Sequence, residues 1–106
     1  MDTSLISSVN VKIETIPVNG HAVIQPTEGR LIELSNLAYT GPMSLYHTDG
    51  ITAVMMLQDT CVTGGSWFGL EMFSRNLNWI LVANNASVPI DICYEFATEG
   101  SVQEVA

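Results

Sequence analysis

The chain has 106 residues, enough to bury one hydrophobic core and too few for two, so a single domain is expected. Hydrophobic residues make up 47% and charged residues only 13%, about half the usual share, with Ser, Thr and Asn in their place. Three basic residues against eleven acidic ones give a net charge of -8, a field that repels nucleic-acid phosphates and anionic lipid, so neither nucleic acid nor membrane is expected as a partner.

A surface built from hydroxyls and amides can be covered without stripping water from buried charges, which points toward assembly. No window approaches the ~20 apolar residues of a membrane span. The start, Met1-Asp2-Thr3-Ser4-Leu5, lacks the basic flank and apolar run of a secretory signal, so either synthesis in the cytoplasm or prior removal of a signal is expected. Without such a signal, Cys61 and Cys93 read more readily as reduced apolar groups than as a disulfide, and both readings stay open.

Residues 1–8 are small and polar apart from Leu5 and Ile6, and read as an N-terminal arm. Val9, Val11 and Ile13 alternate with Asn10, Lys12 and Glu14 in a first strand that ends at Pro17 and the turn pair Asn19-Gly20. A short strand follows over 21–25, stopped by Pro26. The next spans 30–36, with Leu31, Glu33 and Ser35 on one face and Ile32, Leu34 and Asn36 on the other.

After Gly41-Pro42, Met43, Leu45 and His47 alternate with Ser44, Tyr46 and Thr48, and Asp49-Gly50 makes a turn. The apolar run 51–57 is expected as the strongly buried arm of a hairpin. Gly64-Gly65 precedes a segment of large apolar residues over 67–73, and 77–83 is again β-prone. A helix over 70–81 is the main rival, opposed by Asn76, Asn78 and the aromatic flanks.

Asn84-Asn85-Ala86-Ser87 forms a turn, and Val88, Ile90, Ile92, Tyr94 and Phe96 then alternate with Pro89, Asp91, Cys93, Glu95 and Ala97. A period of two over that length is a half-buried strand. The expected fold is all-β: an antiparallel, jelly-roll-like β-sandwich of about eight short strands. It occupies residues 9–97, with an acidic tail over 98–106.

Little in the chain suggests catalysis. His47-Thr48-Asp49, joined by His21 in a fold where their strands are neighbours, could orient an imidazole, but no nucleophile stands in a recognisable setting and Asp49-Gly50 is already explained as a turn. Asp49, Asp59, Glu71, Asp91 and Glu95 lack the spacing of a calcium loop. Asp91 and Glu95 share a strand face at a separation of about 13 Å. Trp67, Trp79, Tyr39, Tyr46 and Tyr94 could stack on sugar rings, though core packing accounts for the tryptophans more simply. Asn85-Ala86-Ser87 matches a glycosylation acceptor, and in an unsecreted chain it is a turn. No enzyme activity, cofactor or metal is expected.

Met55 and Met56 lie in a run apolar on both faces. In a sandwich that pattern implies a strand covered once by its own core and again by another subunit.

The segment Asn78-Trp79-Ile80-Leu81-Val82-Ala83-Asn84-Asn85-Ala86-Ser87, followed by Ile90-Asp91-Ile92-Cys93-Tyr94-Glu95-Phe96, resembles the final hairpin of small viral jelly-roll proteins. Tailed bacteriophages use similar domains as capsid decoration or cement proteins, vertex proteins and fibre tips. The resemblance covers the last third of the chain and carries no catalytic residues. It implies a virion structural protein, made in the host cytoplasm and placed on the capsid exterior, with the major capsid protein and further copies of itself, as a homotrimer, for partners. Leu5, Ile6, Met55, Met56, Trp67 and Phe68 are the expected interface residues. The competing expectation is a receptor- or carbohydrate-binding module, such as a fibre or spike tip, that uses an exposed aromatic such as Trp67 or Tyr46.

Overall fold

A computed structural model describes residues 9–99. The segments 1–8 and 100–106 lie outside the described residues, and with them Leu5, Ile6 and most of the expected tail. Nine strands are present among the described residues: β1 (Val9–Ile16), β2 (His21–Ile24), β3 (Leu31–Tyr39), β4 (Met43–Thr48), β5 (Ala53–Asp59), β6 (Gly65–Trp67), β7 (Met72–Arg75), β8 (Trp79–Asn84) and β9 (Ile90–Glu99). None of the described residues is helical.

All pairings are antiparallel and fall into two sheets. The first runs β1-β9-β3, with β6 and β7 sharing the far side of β3, and the second runs β2-β8-β4-β5. The protein is an all-β antiparallel sandwich. Its smallest dimension, 19 Å, suits two sheets packed about 10 Å apart with side chains on both outer faces.

The alternation read from the sequence sets the core. Ile80 and Val82 on β8, Met43 and Leu45 on β4, and Ile90, Ile92 and Tyr94 on β9 point inward, where they meet Leu34, Leu37 and Tyr39 of β3. Fully burying each large aliphatic side chain contributes about 1.5–3 kcal/mol.

Strand β3 departs from the expected strict alternation. A register shift against β9 falls between Leu34 and Asn36. The extra residue, Ser35, lets Leu34 and Leu37 face the same core although they are three apart. The far side of β3 changes partner at the same point, pairing with β7 over Leu31 to Leu34 and with β6 over Leu37 to Tyr39.

The apolar segment over 67–73 is therefore divided between the end of β6, a loop and the start of β7. Gly69 has φ 70°, a left-handed conformation that costs glycine little. The loop is tied to the β3 bulge by Leu70 N–H donating to the Ser35 carbonyl at 2.7 Å and Gly69 N–H donating to Asn36 Oδ1 at 3.1 Å.

The segments 78–87 and 90–96 do not form a hairpin, because β8 belongs to the second sheet and β9 to the first. Residues 85–89 arch across the sandwich, and Asn84 holds the arch. Its side-chain amide donates to the carbonyls of Ile16 (3.0 Å), Pro17 (3.2 Å) and Val88 (2.9 Å), while its Oδ1 accepts from Ala86 N–H at 2.7 Å.

The run 51–57 is not a strongly buried arm. It pairs with β4 as expected of the Asp49-Gly50 hairpin, but β5 is the outermost strand of its sheet. Val54, Met55 and Met56 are exposed, and only Leu57 packs on the core. An apolar pattern on both faces suits an uncovered edge as well as a central strand, and strand order, which chooses between them, is not a local property. Strand β9 also continues past the expected domain end, since Thr98 and Glu99 pair with Ile32 and Leu31.

Candidate functional site

Charge is divided unequally between the two sheets. Lys12, Glu14, Glu33, Arg75, Asp91, Glu95 and Glu99 all lie on strands of the first sheet. In the second sheet, Asp59 is the only charged strand residue, and it ends β5.

The outer face of the second sheet follows from register and alternation. Ala22, Ile24, Ile80, Val82, Met43 and Leu45 point into the core, so their neighbours in the strands point outward. Val23 pairs with Leu81, Leu81 with Tyr46, and Tyr46 with Met55. The four side chains form one apolar row across all four strands. A parallel row holds Trp79, Thr48 and Ala53, and His21, Ala83, Ser44 and Gln58 complete the face. No Asp, Glu, Lys or Arg is among them.

This face is partly open to solvent. Val23 is 44% exposed and Met55 45% exposed, with Tyr46, Trp79 and Leu81 half-buried between them. An antiparallel sheet with one face on the core ordinarily presents polar side chains on the other. Here the outer face carries an apolar row with Trp79 beside it, and its polar members, His21, Ser44, Thr48 and Gln58, include no Asp, Glu, Lys or Arg, the kind of surface that binds by shape and desolvation.

The expected interface residues divide between two edges. Met55 joins the apolar row. Met56 is the extra residue of a bulge, since Leu45 pairs with Leu57 and Tyr46 with Met55. Trp67 lies on the edge of the other sheet, half-buried against the core. Phe68 is 76% exposed on the loop anchored to the β3 bulge.

Gly64-Gly65 serves an internal purpose. Gly64 has φ 81°, and a Cβ there would collide with the Tyr39 carbonyl. At Gly65 a Cβ would come within 2.9 Å of Asp59 Oδ2. The pair lets the chain pass over Tyr39, whose hydroxyl donates to Asp59 at 2.5 Å. Burial and then the Asp59 hydrogen bond push the Tyr39 phenol up to about 12. The same hydrogen bond, helped by Cys61 N–H, holds the Asp59 carboxyl below its usual range.

The histidines do not come together. His21 is on the outer face of β2, while His47 pairs with the core-facing Ile80 and its Nε2 lies 3.0 Å from the Phe73 carbonyl. Asp49 Oδ1 accepts from the N–H groups of Ile51 (2.9 Å) and Thr52 (2.8 Å). These two bonds, Thr52 first, lower its pKa and use the carboxylate as turn structure. A pocket of about 200 Å³ beside them is lined by His47, Thr48, Asp49, Thr52, Val54 and Asn78.

Among the described residues no cluster of three or more His, Cys, Asp or Glu side chains could hold a metal ion. Cys61 and Cys93 are free, and Cys61 is exposed on its loop rather than buried. Asn85, of the glycosylation-like triplet, donates through Nδ2 to Ser44 Oγ at 2.5 Å.

Fold and face together define a class: an all-β antiparallel sandwich whose second sheet has an outer face with an apolar row and no Asp, Glu, Lys or Arg. No family model matches the chain, and no curated protein matches it in sequence. Among solved structures, a de novo designed double-stranded β-helix determined by solution NMR aligns with a TM-score of 0.45 and 12% identity, over 82% of this chain and 97% of that one.

Proposed function

We propose that this protein is a non-enzymatic virion component that docks on the exterior of a tailed-phage capsid as a decoration or cement protein. The observation that carries the reading is the charge-free outer face of the second sheet, with Val23, Leu81, Tyr46 and Met55 in one row. Laid against the major capsid protein, this face would contribute apolar contact without burying an unpaired charge. The acidic residues of the first sheet would then face solvent and discourage unspecific adhesion between particles.

Four strands about 4.8 Å apart and about 20 Å long give a planar footprint of about 400 Å². A stable interface buries about 800 Å² per partner. One copy alone would therefore hold weakly, and retention on a shell would depend on several copies acting together.

The test is to fractionate particles from the organism that makes the protein. It should sediment with large particles, and electron microscopy with a labelled antibody should place it on their outer surface. Recovery only as a small soluble species would sink the reading.

A further inference from the structure

Each sheet has two edges, and three of the four are blunted. Strand β2 has 4 residues. Strand β5 carries the Met56 bulge. The far side of β3 is split between β6, with 3 residues, and β7, with 4. Short edges and bulges are the devices that stop one sheet from pairing with another.

Strand β1 lacks these devices. It has 8 residues and no proline, pairs with β9 without a register shift, and among the described residues has a neighbouring strand on one side only. It is also inverted. Val9 (70% exposed), Val11 (62%) and Ile13 (73%) point outward, while Asn10, Lys12 and Glu14 share the inward face of Ile16. A regular edge with an apolar row beside it can accept another strand.

We infer that two copies of this chain pair β1 to β1 antiparallel about a twofold axis through Val11. Strand β1 is its own complement in this register. Val11 meets Val11 of the second copy, Val9 meets Ile13, and Asn10 meets Lys12. Like charges do not stand opposite each other. The register one residue further along would set Lys12 against Lys12, which is unfavourable. Such an interface is isologous and closes as a pair, so a threefold assembly would need a different surface.

The axis runs perpendicular to the sheet, so both copies turn the same face the same way. Their two uncharged faces would look in one direction and double the footprint to about 800 Å². The pairing stands on β1 alone, and the capsid reading can fail without it.

Light scattering after size exclusion of the full chain at about 100 µM should give twice the 11.5 kDa chain mass. Val11→Lys sets two ammonium groups opposite each other and should weaken the dimer about tenfold. Met55→Glu, on the other sheet, should leave it intact. Hydrogen exchange of the wild type needs no variant: amides within residues 9–13 should gain protection as concentration rises from about 1 to about 100 µM. A monomer or a trimer at the higher concentration, a dimer that survives Val11→Lys, or exchange at β1 that ignores concentration would each overturn the inference. Dimerisation without capsid binding would defeat only the functional reading.

Discussion

Tyr39 on β3 and Asp59 at the end of β5 join the two sheets through a 2.5 Å hydrogen bond from the phenol to the carboxylate. The bond closes the sandwich beside the Gly64-Gly65 crossing and makes stability depend on pH in two ranges. Asp59 has a lowered pKa, so its contribution is present above the ordinary carboxylate range near 3.9 and is lost as pH falls through the folded value. Tyr39 is raised to about 12, so its contribution is complete below the ordinary phenol value of about 10 and lost as pH rises toward the folded one. Thermal melts should fall at both extremes, and Tyr39→Phe should flatten both limbs. Unchanged limbs in the variant would mean that other groups control them.

Gly64 is the position where the loop can least tolerate a side chain. In Gly64→Ala the new methyl meets the Tyr39 carbonyl with the backbone at φ 81°. A cost of about 2 kcal/mol or more is expected in urea unfolding, from strain and from displacement of the chain. Gly69→Ala has a similar φ of 70° but open space around it, and should cost less.

Asn84 should prove the costliest polar side chain to remove. It is 6% exposed, and Asn84→Ala leaves the carbonyls of Ile16 and Val88 and the N–H of Ala86 without the partner they have now. A loss of about 2–4 kcal/mol is expected, read as a shift in the denaturant midpoint at constant slope. A loss below about 0.5 kcal/mol would mean that water replaces the amide at little cost.

Charges placed on the outer face of the second sheet should separate docking from folding. Val23 and Met55 are nearly half exposed, so Val23→Glu and Met55→Glu should each change stability by less than about 1 kcal/mol. Retention on particles should nevertheless drop at least tenfold, because a carboxylate buried in an apolar contact has no partner. Retention at the wild-type level would place the contact on another surface.

The all-β class, most strand positions and the absence of a long helix among the described residues were legible in the chain. A period of two is a local property, visible at Ile90, Ile92 and Tyr94 and again at Ile80 and Val82. The Asp49-Gly50 hairpin was legible for the same reason, because a turn depends on its own few residues. Met55 was named from the sequence as a surface to be covered. Its companions Val23 and Leu81 were not, and Tyr46 was named only as an aromatic that could stack on a sugar, because their common row depends on β2, β8, β4 and β5 being neighbours.

The sequence by itself determined which residues could face a core, where the chain had to turn, and that charge was scarce. Only the tertiary structure decided the order of strands. That order made the apolar run at Val54, Met55 and Met56 an open edge, carried the chain from β8 to β9 across the sandwich, and gathered nearly all strand charge onto one sheet. The physical reason is that strand pairing is non-local: β1 meets β9 and β2 meets β8 across most of the chain. Alternation specifies which faces are buried, and the choice of neighbour is settled by packing the whole core at once.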